Sequence, residues 1–370
     1  MQKKIDVGTL RLTAKHRQKV MQALKGDRLS YGPMTDEFEK RFSAIHHNNY
    51  GIFTNSGTSA LEASIQALKI LGKWNDGDEI IMPAVTFVAT YNVILHNNLR
   101  PVLVDVEREG CNIDVKEIEK AITPYTRAIM PVHLLGKPAD MDRIIGIAKK
   151  YKLKVIEDSC ETMFVDGIAK ADVSCFSFYI AHLLVTGVGG MAITNDKRLA
   201  DLIRSLIFHG RDNLYLQIDD DAKYNPEVIA ARFKFNYPGY SFRGTEMEAA
   251  LGLVELDNYK EMMRKRKANA EYLAEHLGDE YNDNHAYMMY PYYSLYRDEL
   301  MLYMEKKGIT TRTVMPLISQ PYIKKTLGEI KYPFAELIGK KGLLFGCHQD
   351  LTNKDLDYIV KTIKEFNDNH

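Results

Sequence analysis

The sequence has no net charge, few cysteines and no apolar run at its start, and each absence excludes a class of protein. Lys+Arg and Asp+Glu both number 49, so no bulk field attracts nucleic acid or an anionic membrane. The four cysteines are far apart and lack metal-ligand spacing, which argues against a disulfide scaffold. Residues 1–20 contain no signal-peptide segment. We therefore expect a cytoplasmic protein without nucleic-acid or membrane partners and without a bound metal.

Strand-like apolar segments alternate with helix-period segments through the first two thirds of the chain. At 370 residues the chain is too long for one small core. Buried strands separated by helices predict an α/β fold with a mainly parallel sheet, whose functional residues gather at the carboxyl ends of the strands. The predicted strands cover residues 50–54, 78–83, 100–106, 127–136 and 152–158, and the helices cover 59–71, 87–98, 115–122 and 139–151.

The pattern changes near residue 250, where a long amphipathic helix is predicted over 253–277. A Tyr-rich strand over 286–296 and a final helix over 353–366 indicate a smaller α+β domain. We therefore predict a large domain at 1–252 and a linking helix with a small domain at 253–370. The stretch 173–195 contains no acidic or basic residue apart from one histidine, and by length alone it could span a membrane. Its three glycines argue against a span, and we predict a strand, a turn and a second strand there.

Two short segments carry groups that suit an anion and a cationic ring. In "TNSGTSAL" (54–61), Gly57, Thr58 and Ser59 stand at a strand-to-helix junction, where free N–H groups favour a phosphate. Simple helix capping by the hydroxyls is the alternative. In "VIEDSCETM" (155–163), Asp158 ends a strand and could keep a ring nitrogen protonated, or it could only cap a helix.

"FYIAHLLVTGVGG" (178–190) places a single histidine, His182, in an apolar stretch. Most such histidines pack in a core, so the residue type alone does not decide between packing and chemistry. Ser177 precedes His182 by five residues, and strand alternation directs Ser177 and Phe176 to opposite faces.

Taken in order, these segments resemble the DegT/StrS family of nucleotide-sugar aminotransferases, which are pyridoxal phosphate (PLP) enzymes of fold type I, like aspartate aminotransferase. The similarity extends over nearly the whole chain. It includes "SYGPMTDEFEKRF" (30–42), "NSGTSAL" (55–61), "GDEIIMPAVTFVATYNVI" (77–94), "RAIMPVHLLGKPADMD" (127–142), "VIEDSCE" (155–161), "SFYIAHLLVTGVGGMAITND" (177–196), "PGYSFRGTEMEAALG" (238–252) and "GITTRTVMPLISQPY" (308–322).

The resemblance implies a role for each candidate residue. Asp158 would pair with the cofactor ring nitrogen, Phe87 would stack on the ring, and Glu161 stands where most members have Gln. The phosphate would be held by Gly57, Thr58, Ser59 and Ser177. The family forms homodimers with shared active sites, so segment 239–243, with Ser241 and Arg243, would reach the neighbouring site. Arg312 and Arg243 would bind substrate.

His182 occupies the position of the family's Schiff-base lysine, and the nearest lysines in sequence are Lys170 and Lys197. An imidazole cannot form a stable imine, so PLP or its amine form (PMP) would be bound without a covalent link. Imidazole can instead move protons near neutral pH. Ile180 in place of Pro, Val188 within the usual "GEGG" and Ser241 in place of Asn are further departures from the family pattern.

Two branches of the family carry this Lys-to-His exchange, and both remove a 3-hydroxyl from a nucleotide-linked 4-keto-6-deoxy sugar. One branch binds a [2Fe–2S] cluster, but residues 209–235 contain no cysteine to ligate it. The other acts on GDP-4-keto-6-deoxy-D-mannose without iron, and "EDSCETM", "FKFNYPGY" and "FGCHQDL" resemble that branch. It implies L-glutamate as amino donor and a place in dideoxysugar and O-antigen biosynthesis.

Three interpretations remain open at this point. The first is a 3-dehydratase in which His182 is the acid/base. The second is an aminotransferase that uses a base other than lysine, or one whose lysine has been replaced. The third is a PLP-fold regulator that binds a cofactor or nucleotide sugar without catalysis. The identity of the nucleotide rests on the resemblance alone, because no motif in the chain reads a guanine.

Overall fold

Seven strands form the central sheet of the computed structural model, which describes residues 4–108, 110–211, 226–231, 233–314, 317–327 and 331–370. Their order across the sheet is β1-β7-β6-β5-β4-β2-β3. Strands β2 to β6 pair in parallel, and only β7 runs antiparallel to its neighbours β1 and β6. The mainly parallel sheet is therefore confirmed. The strands are β1 (Tyr50–Thr54), β2 (Glu79–Pro83), β3 (Arg100–Val104), β4 (Thr126–Ile129), β5 (Lys154–Asp158), β6 (Val173–Ser177) and β7 (Gly190–Thr194).

Helices cover the sheet because its inner strands are mostly apolar and must be shielded from water on both faces. Every residue of β2, β6 and β7 is buried, as expected for strands packed on both faces. The uncharged stretch 173–195 forms strand, turn and strand, as predicted. The helices of this region are α1 (Ala14–Ala23), α2 (Pro33–Ile45), α3 (Gly57–Gly72), α4 (Val88–His96), α5 (Val115–Ala121), α6 (Met141–Tyr151), α7 (Lys197–Ile207) and α8 (Pro226–Ala231).

Strand β4 is shorter than predicted, and its early end shapes the site. The apolar run 127–136 predicts one strand, but the strand ends at Ile129. Pro131 has no N–H to donate to a neighbouring strand, and Leu135 adopts a left-handed φ of 57°. The chain therefore leaves the sheet in a short 3₁₀ turn at Leu134–Gly136, above the carboxyl edge.

The long helix α9 (Glu246–Leu277) begins earlier than the predicted Leu253 because Thr245 and Glu248 form a capping box at its start. It leads into an antiparallel sheet of order β8-β10-β9. The predicted boundary at 252/253 falls inside α9, so the division into domains stays a prediction. The remaining elements are β8 (Met289–Tyr293), α10 (Arg297–Lys306), β9 (Thr311–Thr313), α11 (Pro321–Leu327), α12 (Pro333–Lys341), β10 (Gly342–Gly346) and α13 (Asn353–Asn367).

Across the described ranges, no helix combines the length and the apolar character needed to cross a membrane. All four cysteines are free thiols.

Candidate active site

A cavity of about 650 Å³ lies at the carboxyl edge of the large sheet, where side chains from several strand ends meet. Segments from the small sheet also line it, through Met288, Arg312 and Leu344. Eight of the residues singled out in the sequence line this cavity: Gly57, Thr58, Phe87, Asp158, Glu161, Ser177, His182 and Arg312. A second cavity, of about 670 Å³, contains none of them and includes the amino ends of β4 and β5.

The first turn of α3 opens onto the cavity. Ser56 caps this helix, and its hydroxyl accepts the N–H of Ser59 at 3.1 Å. Gly57 and Thr58 are the first two residues of this helix, so no carbonyl of an earlier helical turn accepts their N–H groups. A Cβ at Gly57 would lie 2.7 Å from the Cβ of Ser177, so only glycine allows α3 to approach β6 this closely. Two free N–H groups on a 16-residue helix therefore face the cavity as an anion site.

Asp158 is held in place at the end of β5 by two donors. The Thr90 hydroxyl donates to its Oδ2 at 2.8 Å, and the Cys160 N–H donates to its Oδ1 at 3.2 Å. Thr90 in turn pairs with the Thr86 hydroxyl at 2.7 Å. This chain of hydroxyls fixes the rotamer of a carboxylate that is only 4% exposed. The geometry suits a carboxylate that must face one cationic nitrogen.

Glu161 lies beside Asp158 and is anchored from the turn after β4. Its carboxylate accepts the N–H of Leu135 at 2.9 Å. Burial raises the pKa of Glu161 to about 7, the Leu135 N–H lowers it, and the negative charge of Asp158 raises it further. Near neutral pH this side chain is therefore divided between its charged and neutral forms.

His182 faces the cavity from the turn that joins β6 to β7. Its Nδ1 lies 3.3 Å from the carbonyl oxygen of Ser177, which can only accept, so we assign the proton to Nδ1. This tautomer leaves the lone pair on Nε2, which has no hydrogen-bond partner in the described part of the chain. Burial lowers the pKa of His182 to about 4, the Ser177 carbonyl raises it, and the charge of Arg266 lowers it. The imidazole is therefore a neutral base at pH 7.

No lysine lines this cavity among the described residues. The two lysines nearest to His182 in sequence are occupied elsewhere by exposed ion pairs. Lys170 contacts Asp142 at 2.9 Å, and Lys197 contacts Asp201 at 2.6 Å. Neither lysine lines the cavity, so neither takes the place of the family's Schiff-base lysine.

Three predicted site residues do not line the cavity. The Ser59 hydroxyl turns back and donates to Asn55 at 2.7 Å. Ser241 and Arg243 lie near the sheet edge, where the Arg243 guanidinium donates to the Ser241 hydroxyl at 2.8 Å. The structure thus brings eight predicted residues together and separates these three from them.

The sequence interpretation missed several residues that shape the site. Ser56 lines the cavity, and Thr86 and Thr90 support Asp158 from the strand–helix segment after β2. The spacing of two hydroxyls four residues apart, directly after a strand, is the signal that could have indicated them. Arg266 lies about 80 residues from His182 in the chain, and no local pattern connects the two.

The mainly parallel sheet with its covering helices has the architecture of PLP enzymes of fold type I. The chain belongs to the DegT/DnrJ/EryC1/StrS aminotransferase family, whose model matches residues 11–364. It is 33% identical to GDP-perosamine synthase of Escherichia coli O157:H7, over 96% of both chains.

Solved structures with bound cofactor share this architecture. NtdA from Bacillus subtilis, with bound PMP, superposes with a TM-score of 0.84 at 27% identity and covers 96% of this chain and 82% of its own. E. coli GDP-4-keto-6-deoxy-D-mannose-3-dehydratase, with bound hydrated PLP, gives 0.88 at 24% identity and covers 97% and 99%. At that identity the second likeness is evidence for the fold alone.

The residues present fit a PLP or PMP molecule by their chemistry. Free N–H groups at the α3 terminus suit its phosphate, and a carboxylate in a fixed rotamer suits its ring nitrogen. Phe87 is 51% exposed at the start of α4, so its ring is available to pack on a flat ligand.

Proposed function

We propose that this protein removes the 3-hydroxyl of a nucleotide-linked 4-keto-6-deoxy sugar, with PLP/PMP bound non-covalently. One observation carries the proposal. The chemistry of this family starts from an imine between a lysine and the cofactor. The cavity of this chain contains a neutral histidine instead and, within the described residues, no lysine. A histidine that can transfer protons, with no lysine beside it to form an imine with the cofactor, suits elimination of a hydroxyl group.

The chain's own residues would hold the cofactor at three points. The N–H groups of Gly57 and Thr58, with the Ser177 hydroxyl, would bind the phosphate. Asp158 would hold the ring nitrogen in its protonated form, and Phe87 would cover one face. Ser59 would act by fixing the first turn of α3, because its hydroxyl is already bonded to Asn55.

When bound, the cofactor supplies an amino group and an electron sink. Nε2 of His182 would accept a proton through its free lone pair, and the resulting imidazolium would give a proton to the departing hydroxyl. The pKa of about 4 keeps the imidazole neutral before reaction and makes the protonated form a strong donor. Arg312 would bind an anionic part of the substrate, and L-glutamate is proposed as the amino donor.

Ser241 and Arg243 would complete the site of a second copy. Both residues lie outside the cavity of their own protomer. Ser241 is exposed and Arg243 is partly exposed, so both could contact a second copy. A homodimer with shared sites would account for their position. Sedimentation equilibrium measures the oligomeric state directly. A protein that is monomeric at all concentrations that support activity would contradict the shared sites.

A second candidate is an aminotransferase, and the relatives favour it. The name GDP-perosamine synthase denotes formation of an amino sugar, and that relative is 33% identical to this chain. An aminotransferase with His182 in the lysine position would need His182 or a water to return the proton to the cofactor carbon. Both candidates place the protein in deoxysugar and surface-polysaccharide synthesis.

The product mass separates the two candidates. The protein is incubated with PLP, L-glutamate and GDP-4-keto-6-deoxy-D-mannose, and the sugar product is analysed by mass spectrometry together with released ammonia. We expect a product that lacks one oxygen, with ammonia formed in equal amount. A product in which an amine replaces the ketone would contradict dehydration and establish transamination.

Absence of both products calls for the same assay with CDP-, UDP- and dTDP-linked 4-keto sugars. Turnover with one of these would correct the nucleotide and keep the reaction. Failure with all of them, by a protein that still binds PMP, would identify a binding protein without catalysis.

A further inference from the structure

Arg266 has 0% exposure and is the largest fully buried side chain among the residues that the structure describes. It projects from the middle of α9. No carboxylate in the described part of the chain lies within ion-pair distance of its guanidinium; Asp350 and Glu255 act on it only at longer range. Burial lowers the pKa of Arg266 to about 10, which still leaves it charged at neutral pH.

The guanidinium is bonded to main-chain carbonyl groups instead. Nη1 donates to the carbonyl oxygens of Met288 at 2.9 Å and Tyr287 at 3.3 Å. Nη2 approaches the carbonyl oxygen of His182 at 3.5 Å, and Nε has no partner. One side chain thus joins three parts of the chain that are remote in sequence: helix α9, the segment leading into β8, and the turn that carries His182.

This arrangement is costly for a purely structural contact. An isolated buried charge is strongly disfavoured, and no carboxylate among the described residues is within ion-pair distance to offset the cost of burying this one. A planar guanidinium can reach several acceptors in fixed directions, which a methionine cannot do. Of the three acceptors, the carbonyl of His182 matters for catalysis, because it belongs to the residue proposed to transfer the proton.

We propose that Arg266 is a positioning residue for His182, one that fixes the turn carrying the imidazole against the segment leading into β8. This inference rests on the proposed function in one respect, the role of His182 in proton transfer. Met288 lines the same cavity, so the guanidinium joins the turn of His182 to a second part of the cavity lining.

The charge of Arg266 has a second consequence at the imidazole. It lies behind His182 and opposes its protonation, in the same direction as burial, so both lower the pKa of His182. The other titratable groups that line the cavity are Asp6, Asp158, Cys160, Glu161, Tyr179 and Arg312. Tyr179 is on the same turn as His182, and the other five come from three further segments. The ring of Tyr179 meets the imidazole edge-on at 5.8 Å between centroids.

The test uses two substitutions, Arg266→Met and Arg266→Lys, in the full-length protein. Lysine keeps the charge but cannot reach three carbonyls with one ammonium group, whereas methionine removes both functions. The histidine signals are titrated by NMR in the ligand-free protein, and His182→Asn identifies the signal of His182. Steady-state kinetics and PMP affinity are measured on the same preparations.

We expect Arg266→Met to move the His182 titration to higher pH and Arg266→Lys to leave it close to wild type. In both variants kcat should fall roughly 10- to 100-fold, the size expected for a small displacement of a catalytic group. PMP affinity should change less than about threefold, because the guanidinium of Arg266 bonds to none of the residues that would hold the cofactor: Gly57, Thr58, Phe87, Asp158 and Ser177. A structural role alone would lower thermal stability without moving the titration.

An unchanged His182 titration in folded Arg266→Met, or a kcat within twofold of wild type in either folded variant, would overturn the inference. If the methionine variant does not fold, the lysine variant decides through kcat. The NMR titration does not depend on which product the enzyme makes. A failure of the dehydratase proposal is therefore distinguishable from a failure of this one.

Discussion

Two histidines stand at the carboxyl edge of the same sheet, and their surroundings differ at every point. His133 follows β4 and is fully buried. Its Nε2 lies 3.0 Å from Glu157, and its Nδ1 accepts the N–H of Ala139 at 2.9 Å. Both ring nitrogens are therefore occupied. His133 holds the chain after β4 in place and has no free position for a substrate proton.

His182 has one occupied nitrogen and one free. Its Nδ1 faces the Ser177 carbonyl, and its Nε2 has no hydrogen-bond partner in the described part of the chain. The charged group next to its main chain is the cation Arg266 rather than a carboxylate. The comparison teaches that the partner of the second nitrogen, and not the residue type, separates a packed histidine from a reactive one. These partners come from residues far away in the sequence.

The largest expected effect contrasts the two histidines directly. His182→Asn should bind PMP with near wild-type affinity and lose turnover by roughly 10²–10⁴-fold, the usual contribution of a positioned acid/base. His133→Asn should keep kcat within about threefold and lose stability by about 1–3 kcal/mol, because Glu157 loses a buried donor. Kinetics, PMP titration and thermal unfolding measure the three quantities.

A His182→Asn enzyme with full turnover would remove the proposed role of His182. Loss of turnover in His133→Asn at unchanged stability would contradict the structural role assigned to His133.

The next effect concerns the partner of His133. Burial alone would raise the pKa of Glu157, but hydrogen bonds from His133, Ala169 and Lys170 lower it on balance. Glu157→Gln keeps the shape and removes the charge, and should reduce the free energy of unfolding by about 3 kcal/mol. Urea unfolding measures this value. An unchanged midpoint would mean that the buried pair contributes nothing to the position of His133.

The pH dependence of stability tests the neutral state of His182. Its pKa is about 4 in the folded protein and near 6.5 when unfolded, so the unfolded chain binds more protons between these values. Stability therefore falls as pH decreases from about 6.5 to 4. His182→Asn removes this contribution and should gain roughly 1–3 kcal/mol on wild type over that range. Parallel pH profiles for the two proteins would contradict a half-buried imidazole that stays neutral in the folded protein.

The smallest expected effect lies at Glu161, which the pKa of about 7 leaves half protonated near neutral pH. Glu161→Gln fixes the neutral form, and its amide oxygen can still accept the N–H of Leu135. Activity at pH 7 should stay within about threefold, and any change in kcat/KM between pH 6 and 8 due to this group should disappear. A loss above tenfold would mean that the charged form is required.

Much of this comparison was within reach of the sequence. Apolar strands alternating with helices predict the parallel sheet, and seven of the predicted residues meet at its carboxyl edge because strand ends meet there, while Arg312 reaches the cavity from the small sheet. The early end of β4 was not predicted, since Pro131 and the left-handed Leu135 act through backbone geometry that an apolar run conceals. The early start of α9 depends on a capping box at Thr245.

Contacts over long sequence separation were out of reach. Thr90 supports Asp158 from 68 residues away, and Arg266 meets the His182 carbonyl from 84 residues away. No periodicity or spacing encodes such pairs. The sequence identifies which residues could react, and only the packing of the elements determines which of their atoms remain free.

The central claim is that this family member works without a lysine bound to its cofactor. The most direct measurement loads the protein with equimolar PLP, reduces it with borohydride and determines its intact mass, with His182→Lys as the positive control. The account predicts unmodified wild-type protein and a single covalent adduct at position 182 in the variant. A stoichiometric adduct on wild-type protein, mapped to one lysine peptide, would contradict it.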